Sequence, residues 1–324
     1  MNELTSILQV FREKDHFLIT SHINPDGDSI SGELALANLL QRIGRHVTIV
    51  NENPVPEMYR FLPNTDSIRP YPCEPSKFQV SLILDCNEWE RVGKVAPLAM
   101  SANLVINIDH HLGGTGLGRY NYIDTEASSI AEQIYKIANM IDVPIDYPLA
   151  LYLYVGILTD TGCFKEVNTT SLTHKIVADL LSYGISPKEV FSSLYENNTK
   201  SFIELLGHAL TTSKVTEDGK ISWIIIPKNK FQEVGVNPED LDVERIIDQI
   251  RSIKGVTVSC LFRELDNERI KINFRGKGRE IDVSKIAARF GGGGHRLASS
   301  CIFSGSIAEA ERRVIDEVKR WTGC

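Results

Sequence analysis

Several familiar signals are missing from this 324-residue chain. No apolar run approaches the roughly 20 residues that a membrane-spanning helix needs, so no membrane association is expected. Met1-Asn2-Glu3-Leu4 opens without a basic segment leading into an apolar core, so no secretory signal is expected. The six cysteines, at positions 73, 86, 163, 260, 301 and 324, never form Cys-x-x-Cys. That spacing argues against a zinc ribbon or a disulfide framework and points to a reduced, cytoplasmic setting. There is no internal repeat and no low-complexity segment. What is present is ordinary for a globular protein, 42% hydrophobic and 24% charged residues, in a length that suggests two domains.

Charge is unevenly spread along the chain. The net charge is −7, yet Arg269 to Arg296 holds eight basic residues against Glu280 and Asp282, leaving +6 there and −13 elsewhere. Such asymmetry suggests a local anion-binding surface rather than a general nucleic-acid coat.

The first part of the chain alternates strands and helices. A strand at 16–20 runs into Ser21-His22-Ile23-Asn24-Pro25-Asp26-Gly27-Asp28, whose proline and glycine mark a tight loop. A helix follows to Gly44, and a strand at 47–50 completes a βαβ unit with a parallel sheet. The buried strand 78–84 ends in Asp85, and 104–108 ends in Asp109-His110-His111. Helices are expected over 127–140 and 148–158, the second delivering Asp160, and helical patterns continue over 171–183, 186–196 and 199–213. After about residue 214 the texture becomes α+β. Strands at 221–226, 256–262 and 270–274 lead to a short helix at 283–290, the run Gly291-Gly292-Gly293-Gly294-His295-Arg296, a strand at 299–303 and a helix at 307–321.

Parallel strands bring their carboxyl ends to one edge, where open α/β sheets bind ligands. His22, Asp26, Asp28, Asp85, Asp109, His110, His111 and Asp160 should therefore converge. So many carboxylates need a counter-cation, and carboxylate with imidazole suits Mn²⁺ or Mg²⁺ better than a thiolate-rich zinc site. The number of ligands fits two ions, roughly 3.5–4 Å apart and sharing a carboxylate, which would clamp both oxygens of a phosphoryl displacement. In the basic stretch, Gly291 to Gly294 would let successive N–H groups face one concavity as an anion nest. Arg275, His295 and Arg296 beside it are candidates for gripping a terminal phosphate. A flexible turn is the bland alternative.

In this order the motifs resemble the DHH-family phosphoesterases, a family named for its Asp-His-His run. His22-Ile-Asn-Pro25-Asp26-Gly27-Asp28, Asp85, Asp109-His110-His111 and Asp160 match its four metal motifs, and Gly291 to His295 resembles the signature of its DHH-associated C-terminal domain. The resemblance implies a parallel-sheet DHH domain at 1–188, a helical connector at 189–213 and an α+β substrate-binding domain at 214–324, with the active site in the cleft between the domains. It implies one ion on His22, Asp26 and Asp85 and a second on Asp28, Asp85, His110 and Asp160, with Asp85 bridging and Mn²⁺ preferred to Mg²⁺. Asp85, Asp109, His110 and His111 would form the catalytic group, Asp109 orienting its neighbours and His111 facing the substrate phosphate. Arg275, Gly293, Gly294, His295 and Arg296 would join His111 in binding substrate.

Within the family the closest likeness is to the nanoRNase/pAp-phosphatase group, which implies hydrolysis of short oligoribonucleotides and of 3′-phosphoadenosine-5′-phosphate (pAp). Linear or cyclic dinucleotides are the alternative substrates, and a non-catalytic nucleotide sensor is the alternative class. Short single-stranded RNA or nucleotides are the expected partners. No obligate protein partner is expected, and a homodimer stays open.

Overall fold

A computed structural model describes residues 3–72, 77–111, 113, 116–238, 243–266, 268–278, 280–294 and 296–322. The chain divides into two compact units, Met1–Asn197 and Asn198–Cys324. The boundary falls inside the expected connector. Its helix Pro187–Tyr195 goes with the first unit, and its helix Lys200–Thr211 goes with the second.

In the first unit six strands form one all-parallel sheet: β1 (Phe17–Thr20), β2 (Val47–Asn51), β3 (Ile68–Pro70), β4 (Val80–Leu84), β5 (Leu104–Asp109) and β6 (Tyr120–Ile123), in the order β3-β2-β1-β4-β5-β6. β1 and β4 are buried along their whole length, which is why they read as unbroken apolar runs rather than as alternations. Short edge strands β3 and β6 carried no such run and escaped the sequence reading. Chain order reverses between β1, paired with β2 on one side, and β4 on the other. A ligand crevice belongs at that switch point. Thr20 pairs with Ile83, and Leu84 with Ile108, so His22, Asp85 and Asp109 follow adjacent strand ends.

One face of this sheet is covered by the helices Gly27–Arg42, Ile130–Met140 and Tyr147–Asp160, which share a single apolar core. The last is buried at every position from Leu149 to Leu158. It therefore shows no amphipathic stripe and serves as a central post for its neighbours. Asp146 starts it by accepting the Leu149 N–H at 3.2 Å.

The second unit has a mixed sheet of β7 (Lys214–Val215), β8 (Ile221–Ile226), β9 (Val258–Glu264), β10 (Arg269–Gly276), β11 (Gly293–Gly294) and β12 (Ala298–Ser304), ordered β11-β12-β10-β9-β8-β7. β8 and β9 are parallel and the other pairs antiparallel. Ile270, Ile272 and Phe274 point into a core shared with the helices Val283–Ala288 and Ile307–Thr322. Because strand side chains alternate, Lys271, Asn273 and Arg275 lie on the opposite face. Among the described residues, no helix is long and apolar enough to cross a membrane.

Candidate metal centre

Asp85 stands at the middle of the first-unit cluster. It leaves β4 with a left-handed φ of +56°, a conformation that Asp tolerates better than most residues. Asn107 stitches that turn by donating to the carbonyls of Ile83 (3.1 Å) and Cys86 (2.9 Å). Asp85 Oδ2 lies 3.4 Å from His22 Nε2, and its Oδ1 lies 3.4 Å from His110 Nε2 and 3.5 Å from His111 Nδ1. Ser29 Oγ donates to Asp85 Oδ2 at 2.7 Å and sits 3.0 Å from His22 Nε2.

The Pro25–Gly27 loop supplies two more carboxylates with different jobs. Asp26 is the N-cap of the helix Gly27–Arg42 and accepts the Ser29 N–H at 3.0 Å. Its other oxygen is 3.9 Å from His22 Nε2, and its side chain is 54% exposed. Asp28 is buried and held by the start of another helix, with Ile130 N–H donating to Oδ2 at 2.6 Å and Ala131 N–H to Oδ1 at 3.0 Å. Ser129 caps that helix by accepting the Glu132 N–H, so the helix begins at Ile130 rather than at the expected Ala127. His110 Nε2 lies 4.0 Å from Asp28 Oδ2 and 3.8 Å from Asp160 Oδ2, while His110 Nδ1 contacts the Ala127 carbonyl at 3.3 Å.

Asp109 is buried and keeps out of these oxygen–nitrogen clusters. Its Oδ1 accepts the backbone N–H groups of His110 (2.8 Å) and His111 (3.2 Å) and contacts His111 Nδ1 at 2.8 Å. The carboxylate thus fixes the turn that aims both imidazoles. Gln133 anchors the same strand end by donating to Asp109 O at 3.1 Å.

Burial and neighbouring charge set opposite directions on these groups. Burial pushes Asp160 up to about 7, with Asp85 and Asp26 adding to the rise against the opposing charge of His110. Burial, then Asp160 and Asp85, push Asp28 well above the usual carboxylate range. At Asp85 burial works the same way, but His110 and His22 overcome it and hold the carboxyl low. At His22 burial opposes the charged ring, and Asp85 and Asp26 raise it to about 9 nonetheless. Asp85 Oδ1 and His110 Nε2 are buried without a hydrogen-bond partner among the described residues. Two orphaned donor atoms 3.4 Å apart fit a cation that both could ligate, and an all-oxygen-and-nitrogen donor set suits Mn²⁺ or Mg²⁺. Three groupings could hold an ion here: His22 with Asp26 and Asp85, Asp28 with His110 and Asp160, and Asp85 with His110 and His111.

In the second unit the glycine run departs from the expected nest. The Gly291 and Gly292 N–H groups donate to the carbonyls of Ala288 (3.1 Å) and Ala287 (2.9 Å), closing the preceding helix. Gly293 and Gly294 pair with Ser300 and Ser299 of β12 and are exposed. Glycine is demanded by close approach, since a Cβ on Gly292 would stand 2.1 Å from the Ser300 carbonyl oxygen. Four N–H groups facing one anion is therefore corrected to a helix stop followed by a two-residue strand. The basic stretch is also partly neutralised, as Arg269 pairs with Asp266 (2.6 Å), Lys285 with Asp282 (3.7 Å) and Arg289 with Glu317 (3.4 Å). Half-buried Arg275 and exposed Arg296 meet backbone carbonyls, those of Phe274 (3.2 Å) and Gly278 (3.0 Å). His295 lies outside the described residues.

Ser29, Asn107, Gln133 and Asn168 escaped the sequence reading. All four hold motif residues in place through contacts made by the fold. Ser29, one position beyond Asp28, and Asn107, two before Asp109, lay near enough to a motif to be suspected.

Comparison with known proteins gives the family. Residues 16–157 match the DHH family, N-terminal domain, and residues 228–323 match the DHHA1 domain. The chain is 30% identical over 303 residues to the bifunctional oligoribonuclease and PAP phosphatase NrnA of Thermus thermophilus, covering 93% of this chain and 88% of that protein. It is 26% identical to the protein of the same name from Bacillus subtilis, covering 96% of each. The crystal structure of an exopolyphosphatase-related protein from Bacteroides fragilis superposes with a TM-score of 0.93 at 27% identity, covering 98% of this chain and 96% of that one. The chain belongs to the DHH family of phosphoesterases, with a DHH domain followed by a DHHA1 domain.

Proposed function

We propose that the protein is a cytoplasmic two-metal phosphoesterase that hydrolyses short oligoribonucleotides and the 3′ phosphate of pAp. The observation that carries this reading is that Asp85 belongs to one grouping with His22 and Asp26 and to another with His110 and His111, while His110 also groups with Asp28 and Asp160, and that Asp85 Oδ1 and His110 Nε2 have no hydrogen-bond partner among the described residues. The names of the Thermus thermophilus and Bacillus subtilis relatives support the substrate class. His22, Asp26 and Asp85 would hold one ion and Asp28, Asp85, His110 and Asp160 the other, Mn²⁺ in preference to Mg²⁺. Such ions, when bound, lower the pKa of water and offset charge on the scissile phosphate.

The chain's own side chains do the rest. His111, oriented by Asp109 at 2.8 Å, faces the substrate and donates a proton to a phosphate or leaving-group oxygen. Burial opposes the charged form of this ring, and the hydrogen bond to Asp109, then the charge of Asp85, raise its pKa nonetheless. In the second unit Arg275, Gly293, Gly294, His295 and Arg296 bind the terminal phosphate. Anchoring one phosphate away from the chemistry favours substrates of a few nucleotides.

A panel of pApA, longer oligoribonucleotides, pAp and cyclic dinucleotides, each with Mn²⁺ and with Mg²⁺, tests the proposal. Turnover of pApA and pAp with Mn²⁺ is expected. Turnover of cyclic dinucleotides alone would redirect the substrate assignment, and no metal-dependent turnover of any of them would contradict the enzyme reading.

A further inference from the structure

Eight residues beyond Asp160 the chain returns to it. Asp160 ends its helix, and Gly162, Cys163 and Phe164 then take left-handed φ values of 54°, 60° and 67° in succession. Thr161 fastens the reversal by accepting the Phe164 N–H on its hydroxyl at 3.2 Å. The turn delivers Asn168, whose Nδ2 donates to Ser128 O at 2.9 Å, to Asp160 Oδ2 at 3.1 Å and to Asp160 O at 3.2 Å. All three partners are acceptors, so the amide must present its nitrogen to them. The cost falls on the other end, where Asn168 Oδ1 is buried with no partner among the described residues.

The Ser128 carbonyl makes this more than a contact with one carboxylate. Its segment also supplies the Ala127 carbonyl that His110 Nδ1 contacts and the Ile130 and Ala131 N–H groups that hold Asp28. We infer that Asn168 is a positioning residue that ties Asp160 to the segment orienting His110 and Asp28, so that all three are set in one frame. The inference rests on the reading that these three residues share a divalent ion. Partners that orient a ligand typically contribute 10- to 100-fold in metal affinity.

The test is a Mn²⁺ titration of the metal-stripped full chain, following free Mn²⁺ by its electron paramagnetic resonance signal, for wild type, Asn168→Ala and Asn168→Ser. Serine keeps a polar group in the space but cannot span to both acceptors, and it serves if the alanine variant does not fold. The expected result is a loss of about 10- to 100-fold in affinity for one equivalent of Mn²⁺, with the other equivalent and the thermal midpoint of the metal-free protein little changed. Wild-type affinity in the folded variants overturns the inference, and so does an equal weakening of both equivalents. A wild type that takes up only one equivalent contradicts the two-ion reading instead. The role of Asn168 is then decided by whether that single equivalent is weakened in the variants.

Discussion

The carboxylate of Asp28 and the backbone N–H of Ile130 meet at 2.6 Å across 102 positions of sequence. With the Ala131 N–H on its other oxygen, Asp28 is seated on a helix N-terminus, where the peptide dipoles favour negative charge. The seat needs room behind it. A Cβ on Gly156 would stand 2.6 Å from Ala131 Cβ and 2.8 Å from Asp28 Oδ1.

Gly156→Ala should therefore push Asp28 off its seat. The expected cost is about 1–3 kcal/mol of stability, accompanied by a fall in kcat on pApA. Denaturant unfolding and steady-state kinetics measure the two. An alanine variant that matches wild type in both would show that the helices separate without disturbing Asp28.

Ser29→Ala removes the hydroxyl shared by His22 and Asp85. A hydrogen bond to a charged group contributes roughly 1.5–3 kcal/mol, so activity on pApA should fall about ten- to a hundred-fold. Raising the Mn²⁺ concentration should recover part of it. Abolished activity at every metal concentration would mean that Ser29 takes part in the reaction rather than orienting His22 and Asp85.

Glu33 gives the structure a pH dependence. It is fully buried, and burial raises its carboxyl from 4.5 to about 8, opposed by the hydrogen bond that Asn51 donates at 2.8 Å. The native state thus keeps a proton that the unfolded chain releases near 4.5. Between these values native protein binds more protons, so stability falls as pH rises from 4.5 through 8. Below 4.5 both states hold the proton and this loss is absent. Glu33→Gln cannot titrate and should remove this part of the slope, gaining on wild type on the order of a few kcal/mol between pH 5 and pH 9. Parallel unfolding curves at pH 5, 7 and 9 would refute the assignment.

How far the sequence reaches is clearest residue by residue. Buried parallel strands leave unbroken apolar runs, so the ends carrying His22, Asp85 and Asp109 could be read directly. The proline and glycine around Asp26 marked its loop for the same reason of local chemistry. Asn168 and Gln133 could not be found this way, because their partners are set by a left-handed turn and by a neighbouring strand end. The glycine run misled because glycine is compatible with a nest, a helix stop and a tight strand crossing alike. Only the position of Ser300 decides among them.

Arg275→Ala separates substrate anchoring from chemistry. If Arg275 grips the terminal phosphate, the variant should lose about ten- to a hundred-fold in kcat/KM on 5′-phosphorylated dinucleotides and on pAp. Hydrolysis of a small chromogenic phosphodiester that lacks the distal phosphate should hardly change. An equal loss on both substrates would mean that Arg275 supports the fold of β10.

Asp85 groups with His22 and Asp26 on one side and with His110 and His111 on the other, so its charge is what the central claim requires. The decisive measurement is pApA hydrolysis by Asp85→Asn at saturating Mn²⁺, beside wild type, with the thermal midpoint of each metal-free protein as the control for folding. Asparagine keeps the volume and removes a charge that both ions need. The predicted result is loss of turnover in a cooperatively folded protein. Near-wild-type kcat in the metal-replete variant would contradict a two-ion centre bridged by Asp85.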